Sequence, residues 1–141
     1  MKRVLVFGTF DGLHAGHINF FEQAKKLGDQ LIVVVARDVT VNEVKASFPR
    51  RSELLRLRAV KQCKLVDEAA LGNIGDPYLI VKKIQPDVIA LGYDQKAFTD
   101  GLEKLSVAGG VKAQIVRLKP FLPEKYHSVI IKDNGGKEIA C

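Results

Sequence analysis

Two apolar runs separated by a helix-length segment constrain this chain more than any other feature. Residues 2–7, "KRVLVF", and residues 31–36, "LIVVVA", read as buried strands, the second a continuous run of mostly branched apolar residues. Between them Ile18, Phe21, Ala24, Lys25 and Leu27 recur near helical spacing, and Gly28-Asp29 closes the segment as a C-cap would. A strand, a helix and a second strand in this compass predict a parallel pair with a right-handed crossover.

The same alternation continues down the chain. Residues 52–63 predict a helix with Ser52 as N-cap, followed by a short strand at 65–66, the loop "GNIGDP" and a helix at about 77–84. A strand at 87–91, a helix at about 98–107, a strand at 113–118 and a last helix from about 127 to 133 complete the reading. Strands alternating with helices predict an α/β fold, a Rossmann-like doubly wound parallel sheet. The 141 residues, with no repeat or linker, predict a single domain over 1–141. In such sheets ligands gather beyond the carboxyl ends of the strands. "GTFDGLHAGH", "ARD" and "GYDQ" each follow a strand, so three polar clusters point to one site.

Composition narrows the setting. No apolar run reaches the ~18–20 residues of a membrane span, and the four apolar residues before Gly8 are too few for a signal peptide. Cys63 and Cys141 have neither metal spacing nor disulfide density, so a cytoplasmic chain with two free thiols is expected. The net charge of +6 suits an anionic partner. No aromatic residues interleave the basic ones as in single-strand binders; nucleic acid and a small polyphosphate are both candidate partners, and charge alone does not choose between them.

The chemistry concentrates in "GTFDGLHAGH". Gly8 would let a ligand approach the backbone, and Thr9 offers a hydroxyl and an amide in the turn. His14 and His17, three apart at a helix start, place their rings on one face, where the helix dipole favours phosphate. A zinc pair is disfavoured, because tetrahedral zinc wants three or four ligands and the only other histidine is His127. Asp11 orients an acceptor or metal, or serves as an Asx-turn residue. Arg56 either contacts phosphate or shares a solvated basic face with Arg58. Tyr93 and Asp94 read a base or ribose, or pack the strand end; Asp38 binds the acceptor or caps the following segment.

"GTFDGLHAGH" resembles the G-[TS]-F-D-x-L-H-x-G-H signature of the cytidylyltransferase-like nucleotidylyltransferases. The likeness extends to "VVVARD" with the downstream Lys45, to Arg56 before "VDE" and to "PDVIALGYDQ". Near the C-terminus "YHSVIIK" keeps only Ser128, Ile130 and Ile131 of the family's hydroxyl-rich helix start, with Tyr126 and His127 in place of two hydroxyl residues. "VVVARDVTV" and "LGYDQKAF" look most like the small archaeal-type FAD synthases, which transfer AMP onto FMN.

The resemblance implies attack by a phosphate monoester on the α-phosphorus of a nucleoside triphosphate, with release of pyrophosphate. It implies catalysis by His14, His17 and Lys45, and nucleotide binding by Gly8, Thr9, Phe10, both histidines, Gly92, Asp94, Tyr126 and Ser128. Asp11, Asp38, Lys45, Arg56 and Tyr93 would serve the acceptor. Magnesium would come with the nucleotide and not from a protein cage. A homodimer with no nucleic acid or membrane partner is also implied. A CTP-dependent enzyme acting on glycerol 3-phosphate or a similar phospho-alcohol, and a nucleotide-binding module without turnover, are the alternatives.

Overall fold

A computed structural model describes residues 1–76, 78–92 and 113–119. The strands are β1 (Arg3–Gly8), β2 (Gln30–Val35), β3 (Glu68–Leu71), β4 (Val88–Leu91) and β5 (Gln114–Arg117). The helices are α1 (Ala15–Lys25), α2 (Asp38–Lys45), α3 (Glu53–Lys61) and α4 (Leu79–Ile84). All five strands run parallel in the order β3-β2-β1-β4-β5. The order reverses between β1 and β4, which places the switch point at the loop after β1.

Strand periodicity divides the core between the two faces of the sheet. Val4, Val6, Leu31, Val33, Val35, Val88 and Ala90 point to one face, where Phe21 and Ala24 of α1 and Val60 of α3 cover them. Leu5, Ile32, Val34, Ile89 and Leu91 point to the other, against Val81 of α4. Both faces are buried, so the central strands read as continuous apolar runs rather than alternating ones.

The register sets the geometry of the upper edge. Gly8 pairs with Val35, and Val35 with Leu71, so β1, β2 and β3 end level. Leu5 pairs with Ile89, and continuing that register brings Gly8 level with Gly92. The three polar clusters expected at one edge therefore share it at their starts, Thr9, Ala36 and Gly92.

Several elements differ from expectation. Residues 38–45 form α2, where no helix was expected, and Lys45 ends it. Val39, Thr40, Val41 and Val44 carry the β-branched stiffness that lowers helix propensity, and tertiary contacts override it. The strand expected at 65–66 lies at 68–71, because Asp67 closes the entry to the pairing. Its N–H donates to the Leu31 carbonyl (2.9 Å), and its carboxylate accepts from the Leu31 N–H (2.7 Å) and from Lys25 Nζ (2.9 Å). The Leu31 amide, with Lys25, holds the Asp67 carboxyl below its usual range. Pairing with β2 begins one residue later, at Glu68 opposite Ile32.

Cys63 is buried and disulfide-bonded, which corrects the expectation of two free thiols. The other cysteine, Cys141, and the helices expected at 98–107 and 127–133 lie outside the described residues. Among the described residues no helix is long and apolar enough to cross a membrane.

Candidate active site

The loop after β1 is shaped by one aromatic ring. Phe10 has φ 54 and is 3% exposed, so its side chain folds back into the core beneath the loop. A Cβ on Gly8 would lie 2.4 Å from the end of that ring. Glycine is required there by the protein's own phenylalanine, since no side chain fits under it. Phe10 packs on Phe21 and meets the His17 ring edge-on, with centroids 5.4 Å apart at 73°. The Gly12 N–H then donates to the Phe10 carbonyl (3.0 Å), closing a three-residue turn with Asp11 at its centre.

His14 is the N-cap of α1. The Gly16 N–H donates to its Nδ1 (3.0 Å), which leaves the ring proton on Nε2. The His17 ring stacks on it, with centroids 4.0 Å apart at 26°. His17 is half-buried, and its pKa is lowered from 6.5 to about 4. Burial is the main cause, followed by the neighbouring His14; the Gly12 backbone opposes the shift and Lys45 adds a little to it. His17 is neutral at pH 7. Its Nδ1 is buried without a hydrogen-bond partner among the described residues, at the start of a helix whose dipole favours anions.

Lys45 reaches back from the end of α2, and its Nζ donates to Thr9 Oγ1 (3.2 Å). The chain returns after α2 through Ala46, in the left-handed region at φ 57. This places an exposed ammonium beside the motif loop and close enough to His17 to repel its protonated form.

Arg56 is no part of a solvated face. It is 0% exposed, while Arg58, two residues on, is exposed. Its Nη1 donates to the Thr9 carbonyl (2.8 Å), its Nε to the Arg51 carbonyl (3.1 Å) and its Nη2 to Asp38 Oδ1 (2.6 Å). Asp38 Oδ2 accepts from the Glu53 N–H (3.2 Å), and Glu53 Oε1 accepts from the Asp38 N–H (2.9 Å), so α2 and α3 cap one another. Glu53 also pairs with Arg37 Nε (2.8 Å). The Asp11 carboxylate accepts the N–H groups of Arg50 (2.6 Å) and Arg51 (2.9 Å). Asp11, Asp38 and Arg56 thus brace the floor of the site.

The structure brings together Gly8, Thr9, Phe10, Asp11, His14, His17, Asp38, Lys45 and Arg56. Gly92 follows β4 at the same edge, its carbonyl accepting from Arg117 Nη1 (2.8 Å). Tyr93, Asp94, Tyr126 and Ser128 lie outside the described residues. Sequence reasoning missed Glu53 and Arg51. The signals were present: Glu53 is the first residue after the N-cap Ser52, and Arg51 belongs to the basic pair that precedes it.

Residues 5–134 match the cytidylyltransferase-like family. The FAD synthase of Aciduliprofundum boonei is 46% identical over 121 residues, which cover 86% of this chain and 80% of that protein. The FAD synthase of Ferroglobus placidus is 46% identical over 119 residues, covering 84% and 77%. The crystal structure of a lipopolysaccharide core biosynthesis protein from Thermoplasma volcanium superposes with a TM-score of 0.80 at 42% identity, covering 86% of this chain and 98% of that one. A match over nearly the whole chain, the histidine-bearing loop at the switch point included, places this protein in the cytidylyltransferase-like family.

Proposed function

We propose that the chain is an ATP-dependent FMN adenylyltransferase, a nucleotidyltransferase that makes FAD. The observation that carries the reading is the stacked pair His14 and His17 at the start of α1, with Lys45 held against the same loop. The FAD synthase relatives support ATP and FMN as its substrates.

An oxygen of the FMN phosphate attacks the α-phosphorus of ATP, the bond from that phosphorus to the bridging oxygen breaks, and pyrophosphate leaves. The attacking group is already an anion and needs no general base. The demand is for donors and positive charge where charge accumulates. His14, with its proton on Nε2, and neutral His17 donate hydrogen bonds to the α-phosphate. The Lys45 ammonium lies between the two reacting anions. Thr9 and Phe10 form the loop under the nucleotide, Gly92 lies at the same sheet edge, and Asp94 is assigned to nucleotide binding. Tyr126 and Ser128 hold the outer phosphates. Asp11, Asp38 and Arg56 serve the acceptor side as braces for the segments that carry Lys45 and the motif, and Tyr93 is assigned to acceptor binding.

Among the described residues no three His, Cys, Asp or Glu side chains converge as a metal cage, and Asp11 and Asp38 are committed to amides and to Arg56. We infer that magnesium enters as part of the nucleotide substrate, on its phosphates. The active form is a cytoplasmic homodimer, and exposed Val44, Phe48, Leu54 and Leu55 offer apolar surface for association.

Pyrophosphate release measured with ATP or CTP, each with FMN or glycerol 3-phosphate, tests the reading. ATP with FMN is the productive pair. Turnover only with CTP and glycerol 3-phosphate contradicts the choice of substrates, and turnover with none contradicts the enzyme.

A further inference from the structure

Arg51 lies across the turn of the histidine loop. Its Nη1 is 2.8 Å and its Cζ 3.7 Å from where a Cβ on Gly12 would stand. Gly12 has φ +93, so this turn excludes a side chain by its backbone and by the arginine laid over it. The main chain of Arg51 is fixed at both of its polar atoms. Its N–H donates to Asp11 Oδ1 (2.9 Å), and its carbonyl accepts from Arg56 Nε (3.1 Å). Asp11 belongs to the loop itself, and Arg56 also holds the Thr9 carbonyl (2.8 Å). Two ionised side chains thus tie residue 51 to residues 9–12.

The clamp is not needed to start the neighbouring helix. α3 has its own N-cap in Ser52, whose Oγ accepts from the Leu55 N–H (3.3 Å). What the clamp adds is a guanidinium at a set place over the loop. Lys45 meets the loop at Thr9 and Arg51 meets it at Gly12, so cations flank the turn that leads into His14 and His17. The two differ in kind. An ammonium is a compact charge on a flexible stem, whereas a guanidinium keeps its charge at all working pH values and offers a planar fork to two oxygens of one phosphate.

We propose that Arg51 binds the phosphate monoester of the acceptor, the group whose oxygen attacks. The proposal rests on the FMN adenylyltransferase reading. A fixed cation on that phosphate lowers its repulsion from the nucleotide phosphates as the two approach, and its fork sets which oxygen faces the α-phosphorus.

Wild-type protein, R51A and R51K are titrated with FMN and with riboflavin, the same ring system without phosphate, by quenching of flavin fluorescence. KM for ATP is measured alongside. R51A should weaken FMN binding roughly 10–100-fold, the loss of one or two charge-assisted hydrogen bonds, with riboflavin binding and KM for ATP changed less than about 3-fold. R51K, which keeps the charge and the backbone clamp, should fall between. Equal weakening of FMN and riboflavin, unchanged FMN affinity, or a rise confined to KM for ATP overturns the proposal. Where R51A fails to fold, R51K decides alone by the same FMN-to-riboflavin comparison. Wild-type protein that neither binds nor converts FMN overturns the adenylyltransferase reading and this proposal together. Wild-type turnover with an unselective R51 variant overturns only the role of Arg51.

Discussion

His17 stands at the meeting of packing and chemistry, wedged between the edge of Phe10 and the face of His14. Its pKa of about 4, against 6.5 unfolded, has a consequence for stability. Between these values the unfolded chain takes up a proton that the folded chain refuses, so stability falls as pH is lowered through about 6.5 toward 4 and is intact above that window. His17→Gln should flatten this dependence by on the order of 1–3 kcal/mol, as read from urea unfolding at pH 7 and pH 4.5. An unchanged dependence in the variant would contradict the burial argument. In turnover, His14→Ala and His17→Ala should each lower kcat by ~10²–10³-fold in folded protein, the range for losing one donor to a developing charge. Near-normal kcat in both would remove the histidines from the mechanism. Gly8 marks where the sequence was legible in type and not in reason. A glycine before a phosphate loop suggests ligand approach, yet here the ring of Phe10 fills the space. Gly8→Ala should therefore destabilise the fold by about 1–3 kcal/mol, the usual cost of overpacking, measurable as a lower thermal midpoint.

From α3, Arg56 holds the motif loop through Thr9, the start of α2 through Asp38 and the segment just before α3 through Arg51. Arg56→Met keeps the stem and leaves those acceptors without donors. The expected loss is about 3 kcal/mol, the low end for breaking a buried ion pair, because the Asp38 side chain is still 33% exposed. Urea denaturation measures it, and a loss under about 1 kcal/mol would show the network to be dispensable. Its burial was hard to read from the chain. Arg56 and Val60 lie four apart on the buried side of α3, and Cys63 follows just beyond it, but a charged residue in that stripe reads as surface until its acceptors are known. The helix α2 was hidden by its β-branched residues, and β3 by "EAAL", an edge strand without the branched apolar run that marks β2. The strands β1, β2, β4 and β5, by contrast, were legible because each carries its own apolar pattern. The placement of Lys45 on a helix end sharpens its prediction. Held toward Thr9, the ammonium should act mainly as charge moves to the leaving group, so Lys45→Ala should reduce kcat far more than it weakens ATP binding. Equal losses in affinity and kcat/KM, with kcat intact, would make it a binding residue only.

At the scale of the whole molecule, the parallel sheet gives the site its location. Five strands in the order β3-β2-β1-β4-β5 bring Gly8 and Gly92 level at the switch point, and α1 and α2 follow the strands that end at the same edge. The braces beneath, Asp11, Asp38 and Arg56, are what single-sequence reading could name but not place, since each depends on contacts made across 18 to 47 residues of chain. The proposed reaction transfers the α-phosphoryl group with its nucleoside onto a flavin phosphate. It is tested most directly by supplying FMN with ATP labelled either at the α- or at the γ-phosphorus and separating the products. Adenylyl transfer predicts α-label in FAD and γ-label in pyrophosphate alone. Label from the γ-position in the flavin product, or no label in any flavin from either position, would contradict it.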